Sequence, residues 1–247
     1  MPAFALSKPF MDVGLFTNQG EAMRDFYSEE VGLEQTDVLD IEPGYQLYRY
    51  DASGSALKIN ALGESLERST PGFRRILIAK AERSTPLELE DPDGMGVMLV
   101  PPGYEDVTQV GIVWTVRSLA TAEAFAERAI GAEKLGTARY RVGETTLLFE
   151  EDPASPRMGA LETVGFTYTT LHVRDVLGAH AALTSSGFEE AIPPTPFGEV
   201  TTYSFVRDPF GNWRSDPEDP RVMIRVKPGE KGEWRLLGRE GVDNDGD

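Results

Sequence analysis

One pattern recurs along this chain of 247 residues and limits its fold more than any other feature. A short apolar strand precedes an amphipathic helix, a glycine lies near the helix end, and alternating strands follow; copies start near residues 11, 109 and 164. Residues 71–102 keep an opening strand, a DPDG turn and a closing strand, so we interpret them as a further copy that has lost most of its helix. Such repeats predict a fold built from small modules that share their cores.

The polar segment PPGYEDVT, residues 101–108, is rich in proline and glycine and lies near the middle of the chain. A segment of this composition is typical of a linker. It predicts an N-terminal pair of modules at residues 1–104 and a C-terminal pair at residues 105–229, followed by a polar tail at residues 230–247. The predicted fold class is α+β, with two tandem domains of paired βαβββ modules and a shortened second module.

The charge balance narrows the class of partner. The chain carries 41 acidic and 24 basic side chains, a net charge of −17. Binding to nucleic acids and to anionic membranes rests on lysine and arginine, so we expect neither partner. The absence of cysteine excludes disulfides and thiolate chemistry. No stretch approaches the roughly 18 apolar residues of a membrane span, and no signal-peptide pattern is present. We expect a cytoplasmic monomer or homodimer that binds a small molecule.

The opening strand and helix, MDVGLFTNQGEAMRDFYSEEVGL, and the turns DPDG at 91–94 and DPFGN at 208–212 resemble the vicinal oxygen chelate superfamily. This superfamily contains glyoxalases, bleomycin resistance proteins and extradiol dioxygenases, and the resemblance spans roughly residues 10–226. It implies glyoxalase-like domains in which paired modules curl around a cavity. In most members a divalent metal in that cavity, held mainly by histidine and glutamate, chelates two adjacent substrate oxygens.

The positions that match the family's metal ligands hold other residue types here: Asp12, Arg75 and Met98 in the N-terminal half, and Gln109, Tyr168 and Ser215 in the C-terminal half. A guanidinium only donates hydrogen bonds, and Tyr and Ser are poor ligands for transition metals. The resemblance therefore implies no metal held by these sets; the weak candidate ligands are Gln109, His172 and Glu150. We expect an ion pair between Asp12 and Arg75, either in place of the metal's charge or as an ordinary pair at a barrel end.

Only two histidines, His172 and His180, are available for acid–base chemistry. Strand periodicity places Tyr168 and His172 on one face, and we predict that they act as catalytic acid and base. The alternative is a strand-end His172 that bonds to backbone; His180 is predicted to be a surface or packing residue. Lys58 shares its strand face with Asn60. Substrate contacts are predicted for Asp12, Lys58, Arg75, Gln109, Trp213 and Ser215.

Three functions stay open at this point. The first is an isomerase, epimerase or lyase that acts on an oxygenated metabolite by acid–base chemistry without a metal or other cofactor. The second is a metal-dependent extradiol dioxygenase or glyoxalase-type lyase, which needs a divalent metal and good ligands for it. The third is a non-catalytic protein that binds a drug or metabolite in an aromatic-walled pocket.

Overall fold

The computed structural model describes residues 5–68, 72–128, 130–155, 161–186, 189–197, 201–207 and 222–226. Their helices are α1 at Gly20–Asp25, continued by a π-helical turn at Phe26–Glu30, α2 at Leu119–Arg128 and α3 at Val176–Ser185. Their strands are, in chain order, β1 Asp12–Thr17, β2 Glu34–Glu42, β3 Tyr45–Ala52, β4 Ser55–Leu62, β5 Glu67–Arg68, β6 Phe73–Ala79, β7 Leu87–Glu90, β8 Gly96–Val100, β9 Val110–Val116, β10 Glu133–Gly136, β11 Arg139–Val142, β12 Thr145–Glu151, β13 Thr163–Val173, β14 Glu189–Phe197, β15 Thr201–Arg207 and β16 Val222–Val226.

The strands form two sheets. Sheet 1 has the order β14-β15-β16-β13-β1-β4-β3-β2, and β5 also pairs with β13. Sheet 2 has the order β10-β11-β12-β9-β6-β8-β7. Few helices against two mixed sheets confirm the predicted α+β class. The second module is short as predicted, because residues 80–95 hold turns and β7 but no helix.

The pairing of modules differs from the expected one. In sheet 1 the opening strand of the first module, β1, lies antiparallel to the opening strand of the last module, β13. In sheet 2 the opening strands β6 and β9 are antiparallel neighbours. The expectation of an N-terminal pair and a C-terminal pair is therefore wrong: the first module joins the fourth, and the second joins the third. Strand periodicity defines each module but does not specify which opening strands share hydrogen bonds.

The predicted linker, residues 101–108, joins β8 to β9 inside sheet 2. It does not separate the two sheets, and the predicted bounds at residues 1–104 and 105–229 do not coincide with them. The second predicted turn, residues 208–212, and the polar tail, residues 230–247, lie outside the described residues.

The helices share a core with one face of each sheet. In sheet 1, Val13 and Leu15 of β1 pack with Met23 of α1 in a cluster that also contains Ile76 of β6 and Phe125 of α2. Apolar side chains alternate along these strands, so the intervening residues point to the opposite face. We call the face of each sheet opposite the helices its inner face. Within the described residues, no helix is long and apolar enough to cross a membrane.

Candidate functional site

The inner face of sheet 1 carries a line of buried polar side chains across its three central strands. β1 contributes one of them, β4 two and β13 three, and none is more than 6% exposed. We call this set the polar row: Asp12, Lys58, Asn60, Tyr168, Thr170 and His172. Because alternate residues of a strand share a face, the predicted parity of Lys58 with Asn60 and of Tyr168 with His172 is confirmed.

Asp12 is the centre of the ionic part of the polar row. Its Oδ2 lies 2.9 Å from Lys58 Nζ and 2.7 Å from His172 Nε2. Its Oδ1 accepts hydrogen bonds from Lys8 Nζ at 2.5 Å and from the Ala56 backbone N–H at 2.9 Å. Burial alone raises the pKa of Asp12, but Lys58, His172 and Lys8 outweigh it and hold the pKa well below its ordinary value. Asp12 is therefore a carboxylate at neutral pH.

The hydrogen bond to Asp12 fixes the state of His172. Burial lowers the pKa of His172, against the opposing effect of the Asp12 carboxylate, so the imidazole is neutral near pH 7. A carboxylate only accepts hydrogen bonds, so Nε2 carries the ring proton and Nδ1 keeps the lone pair. The imidazole thus bonds to a side chain, while the backbone carbonyl of His172 accepts from Ser7 N. An oriented neutral imidazole with its basic nitrogen set by a carboxylate has the chemistry of a general base.

Tyr168 and Asn60 form the second part of the polar row. Asn60 Nδ2 donates to the Tyr168 hydroxyl at 3.0 Å and to the Leu15 carbonyl at 2.8 Å, and Asn60 Oδ1 accepts from Tyr45 at 2.7 Å. The Tyr168 oxygen accepts from Asn60, so the hydroxyl proton of Tyr168 points away from the Asn60 amide nitrogen. The Tyr168 ring lies directly over Gly14, where an added Cβ would be 2.0 Å from the ring. Only glycine at this position of β1 leaves room for the ring.

An aromatic patch adjoins the polar row on the same face. The Phe16 ring lies 6.0 Å from the Tyr168 ring and 6.5 Å from the Tyr45 ring, centroid to centroid. Tyr203 and Phe205 of β15 pack edge to face at 6.0 Å and belong to the same cluster. The inner face of sheet 1 therefore combines ions, hydroxyls and aromatic rings.

The inner face of sheet 2 is apolar at its centre. Val107, from the 101–108 segment, is completely buried there against Leu77, Met98 and Val113. A Cβ on Gly111 of β9 would be 2.6 Å from the Val107 side chain, so Val107 fills the place over Gly111 that Tyr168 fills over Gly14 in sheet 1.

The 101–108 segment is anchored on sheet 2 by ionic and hydrogen bonds. Arg139 Nη1 lies 2.9 Å from a Glu105 oxygen and 3.1 Å from an Asp106 oxygen, and Thr146 donates to the Asp106 carbonyl. These contacts hold Val107 in the centre of the inner face.

Three of the other predicted residues, Arg75, Gln109 and Glu150, lie in or beside sheet 2, apart from the polar row. Arg75 Nη1 is 3.9 Å from Glu88 Oε1 in sheet 2, so the expected Asp12–Arg75 ion pair is wrong; the two residues belong to different sheets. Arg75 and Glu150 line a cavity of about 690 Å³ at one end of sheet 2, together with several acidic side chains. Gln109 precedes β9 in sheet 2. Trp213 and Ser215 lie outside the described residues.

The donor set does not fit the family's divalent metal. Within the part of the chain that the structure describes, no three His, Asp, Glu or Cys side chains are placed so that they could hold a metal ion together. In the polar row only Asp12 and His172 are of the ligand type, and they bond to each other at 2.7 Å. The Lys58 ammonium lies 2.9 Å from the same carboxylate oxygen. A metal bound there would be repelled by this charge.

Sequence reasoning missed three contributors to this site: Lys8, Thr170 and Tyr45. Lys8 precedes Asp12 by four residues in a segment without predicted structure, and Thr170 accepts from Lys58 at 3.2 Å. The period-two pattern that placed Tyr168 and His172 on one face also places Thr170 between them. No sequence signal links Tyr45 to Asn60, because their contact depends on the pairing of β3 with β4.

Residues 10–214 match the sequence profile of the Glyoxalase/Bleomycin resistance protein/Dioxygenase superfamily. Glyoxalase I from Zea mays superposes with a TM-score of 0.65 at 14% identity, covering 88% of this chain and 92% of that chain. A proposed dioxygenase from Bacillus subtilis superposes with a TM-score of 0.67 at 14% identity, covering 91% of this chain and 87% of that chain. No curated protein sequence matches. At these identities the structural likeness concerns the fold alone. The profile match over most of the chain shows the family: this chain belongs to the glyoxalase, bleomycin resistance protein and dioxygenase superfamily.

Proposed function

We propose that this chain is an enzyme that transfers a proton on a small oxygenated metabolite at the inner face of sheet 1, without the family's metal. The observation that carries the proposal is the buried Asp12–His172 pair, 2.7 Å apart, beside the Lys58 ammonium. A carboxylate that fixes one imidazole tautomer gives the other ring nitrogen a defined basic role. The Lys58 ammonium beside this pair stabilises negative charge that develops on a substrate oxygen.

The order of events follows from these roles. His172 Nδ1 accepts a proton from a substrate carbon next to a carbonyl; the electron pair of that C–H bond forms a C=C bond, and the π pair of the carbonyl moves onto its oxygen. The Tyr168 hydroxyl donates its proton to that oxygen, giving an enol. Return of the proton from His172 to a carbon, while the enol O–H proton returns to Tyr168 and the carbonyl re-forms, completes an isomerisation or epimerisation. If the re-forming carbonyl instead expels a leaving group, with its bonding pair, from the carbon next to the deprotonated one, the reaction is a lyase reaction.

The spacing of the polar row is compatible with one small substrate between base and acid. Lys58 and Asn60 are alternate residues of β4, so they stand about 7 Å apart along the strand. Lys58 shares the Asp12 carboxylate with His172, whereas Asn60 bonds to Tyr168. A metabolite of a few carbon atoms spans such a distance.

A second candidate function is non-catalytic binding of a metabolite or drug. The aromatic patch of Phe16, Tyr45 and Tyr168 favours it, because aromatic walls are common in small-molecule pockets. On this hypothesis the polar row binds one end of the ligand, and no proton moves.

Deuterium exchange tests the proposal without knowledge of the substrate. Chelator-treated protein is incubated in D₂O with pyruvate, hydroxypyruvate or dihydroxyacetone, and loss of carbon-bound protons is followed by ¹H NMR. We expect exchange above the spontaneous rate with at least one probe and a loss of about 100-fold or more in His172→Gln.

The matched control is His180→Gln, because His180 is the only other histidine and pairs with Glu190 at 2.7 Å away from the polar row. We expect this variant to retain wild-type exchange. Equal exchange in wild type and His172→Gln, or exchange that appears only after a divalent metal is added, contradicts the proposal. Binding of a probe without exchange favours the non-catalytic candidate.

A further inference from the structure

The cavity at one end of sheet 2 has no role in the proton transfer proposed above. Its volume of about 690 Å³ falls within the range of about 300–1,000 Å³ that is typical of small-molecule sites. Arg75 of β6, Glu88 of β7, Thr115 of β9 and Glu150 of β12 all line it. Side chains from these strands therefore converge on one concave space.

Strand parity places this cavity on the inner face of sheet 2. Arg75 and Thr115 alternate with Leu77 and Val113, which belong to the apolar centre of that face. Glu150 pairs with Thr115 in the ladder between β12 and β9, and paired residues share a face. The inner face of sheet 2 is thus apolar at its centre and charged at this end.

The wall of the cavity is strongly acidic. Two arginines, Arg74 and Arg75, lie among more carboxylates than they can neutralise. The carboxylates are those of Glu88, Glu90, Asp93, Glu150, Glu151 and Asp152. The described wall therefore has a surplus of four negative charges, and a concave wall with charge of one sign attracts ligands of the opposite sign.

Asp93 adds a buried carboxylate oxygen to this wall. The Asp93 side chain is 1% exposed. Its Oδ1 accepts from Gln19 Nε2 at 2.7 Å and lies 3.4 Å from Arg68 Nη2, whereas Oδ2 has no hydrogen-bond partner among the described residues. An unsatisfied buried acceptor is costly to a folded protein. A cationic donor at this wall is the partner that Asp93 lacks.

The two arginines have donors to spare. The buried Nε of Arg74 has no hydrogen-bond partner in the described part of the chain. The nearest carboxylate oxygen to Arg75 Nη1 in an ion pair is that of Glu88, at 3.9 Å, which is longer than a hydrogen bond. The stem of Arg75 rests on Gly96, where an added Cβ would lie 3.0 Å from Arg75 Cγ. Neighbouring guanidinium groups with free donors suit a carboxylate.

The distance between the arginines and Glu150 sets the length of a ligand that contacts both. β9 lies between β6 and β12, so the backbones of Arg75 and Glu150 are separated by roughly 10 Å across the sheet. Glu150 is exposed, and Leu89 and Met95 add apolar surface to the wall. A ligand with opposite charges at the two ends of a short methylene chain matches this arrangement.

We propose that this cavity binds a free basic amino acid, with its carboxylate at Arg74 and Arg75 and its cationic side chain at Glu150. The α-ammonium group lies among the other carboxylates of the wall. Each charged group of the ligand then has a partner of opposite sign, and the net positive charge of the ligand reduces the acidic surplus. The site lies on the other sheet from the polar row and is independent of the proton-transfer function.

Three molecules with related chains separate the charged groups. L-Lysine carries all of them, cadaverine is lysine without the carboxylate, and L-norleucine is lysine without the side-chain ammonium group. Their dissociation constants are measured on the full-length protein by isothermal titration calorimetry at physiological ionic strength, where weak long-range attraction is screened. We expect lysine to bind at least about fivefold more tightly than either analogue, because each analogue loses one ionic contact.

Two substitutions test the two ends of the site separately. Arg75→Met keeps an apolar stem over Gly96, and we expect it to reduce the preference for lysine over cadaverine below about twofold while the preference over norleucine remains. Glu150→Gln is expected to have the converse effect, with the preference over norleucine lost and that over cadaverine kept. Arg74→Met serves if Arg75→Met does not fold.

The controls change the same residue types away from the cavity. Arg24→Met alters a side chain that lies over the Tyr48 ring in sheet 1, and Glu133→Gln alters an exposed side chain of β10. We expect both variants to bind the three molecules with wild-type affinities.

Lysine preference over both analogues, with one preference lost in each cavity variant and both kept in the controls, supports the inference. Cadaverine or norleucine that binds as tightly as lysine, or preferences that are unchanged in Arg75→Met and Glu150→Gln, overturns it. Absence of saturable lysine binding up to about 10 mM overturns it as well. The readout is binding at sheet 2, so its failure leaves the proton-transfer proposal for sheet 1 standing.

Discussion

Asp12→Asn is expected to be among the most damaging single substitutions in this chain. Asp12 is fully buried and accepts from Lys58, His172, Lys8 and the Ala56 backbone N–H. Asparagine keeps an acceptor for the backbone but removes the negative charge that Asp12 holds 2.9 Å from the buried Lys58 ammonium. Removal of one partner of a buried ion pair costs about 3–5 kcal/mol. For a chain of this size that corresponds to a fall of about 6–20 °C in Tm.

The double variant Asp12→Asn/Lys58→Met isolates the reason for this loss. If the cost comes mainly from the loss of the Asp12 charge beside the Lys58 ammonium, replacing Lys58 as well restores part of the stability. We expect the double variant to be more stable than Asp12→Asn alone, with a coupling energy of about 0.5–3 kcal/mol. Asp37→Asn is the matched control, because Asp37 pairs with Arg49 at 3.2 Å on the exposed part of sheet 1. Such pairs contribute about 0–1 kcal/mol.

Urea unfolding followed by tryptophan fluorescence measures these differences, because Trp114 is buried in the main core. The pH dependence adds a second check. The pKa of Asp12 is lowered in the folded protein, so its contribution is present above the unfolded pKa of about 4 and is lost as the pH falls below it. A loss below about 1 kcal/mol at pH 7, or a double variant no more stable than Asp12→Asn, refutes this reasoning.

Three further substitutions test other parts of the structure. Burial raises the pKa of Asp91 to about 6, although a hydrogen bond from Tyr27 opposes the shift. The free energy of unfolding therefore falls as the pH rises from about 4 to 6. In Asp91→Asn, urea unfolding at several pH values is expected to lack this slope and to show a gain of at most about 3 kcal/mol at pH 7. Gly14→Ala is expected to cost about 1–3 kcal/mol and to slow deuterium exchange, because the methyl group displaces the Tyr168 ring; unchanged exchange contradicts the assigned role. Val107→Ala is expected to cost about 2 kcal/mol in thermal unfolding yet leave deuterium exchange unchanged, because Val107 packs on sheet 2.

Local features of the fold follow from the sequence because they depend on short-range periodicity. The shared face of Lys58 and Asn60, and that of Tyr168 and His172, needs only the period of a strand. The DPDG turn and the shortened second module are equally local. Family resemblance then predicted the α+β class, which the fold confirms.

The contacts that make the site could not be predicted, because they depend on strand pairing between distant modules. Asp12 meets His172 only because β1 lies against β13, 160 residues along the chain. The expected partner of Asp12, Arg75, belongs to the adjacent module in sequence but to the other sheet in space. A single sequence gives the faces of strands and leaves their neighbours open.

The two inner faces show which features the fold itself requires. Each has a glycine in an opening strand, Gly14 or Gly111, with a side chain packed over it. In sheet 2 that side chain is Val107 and the surroundings are apolar, which stabilises a core at little electrostatic cost. Sheet 1 instead buries Asp12 and Lys58 on its inner face. Replacing a buried ion pair by apolar residues often leaves a protein equally stable or more stable. Sheet 2 shows that an inner face of this fold forms without such a cluster, and this contrast supports the proposal that the charges in sheet 1 serve a ligand and its chemistry.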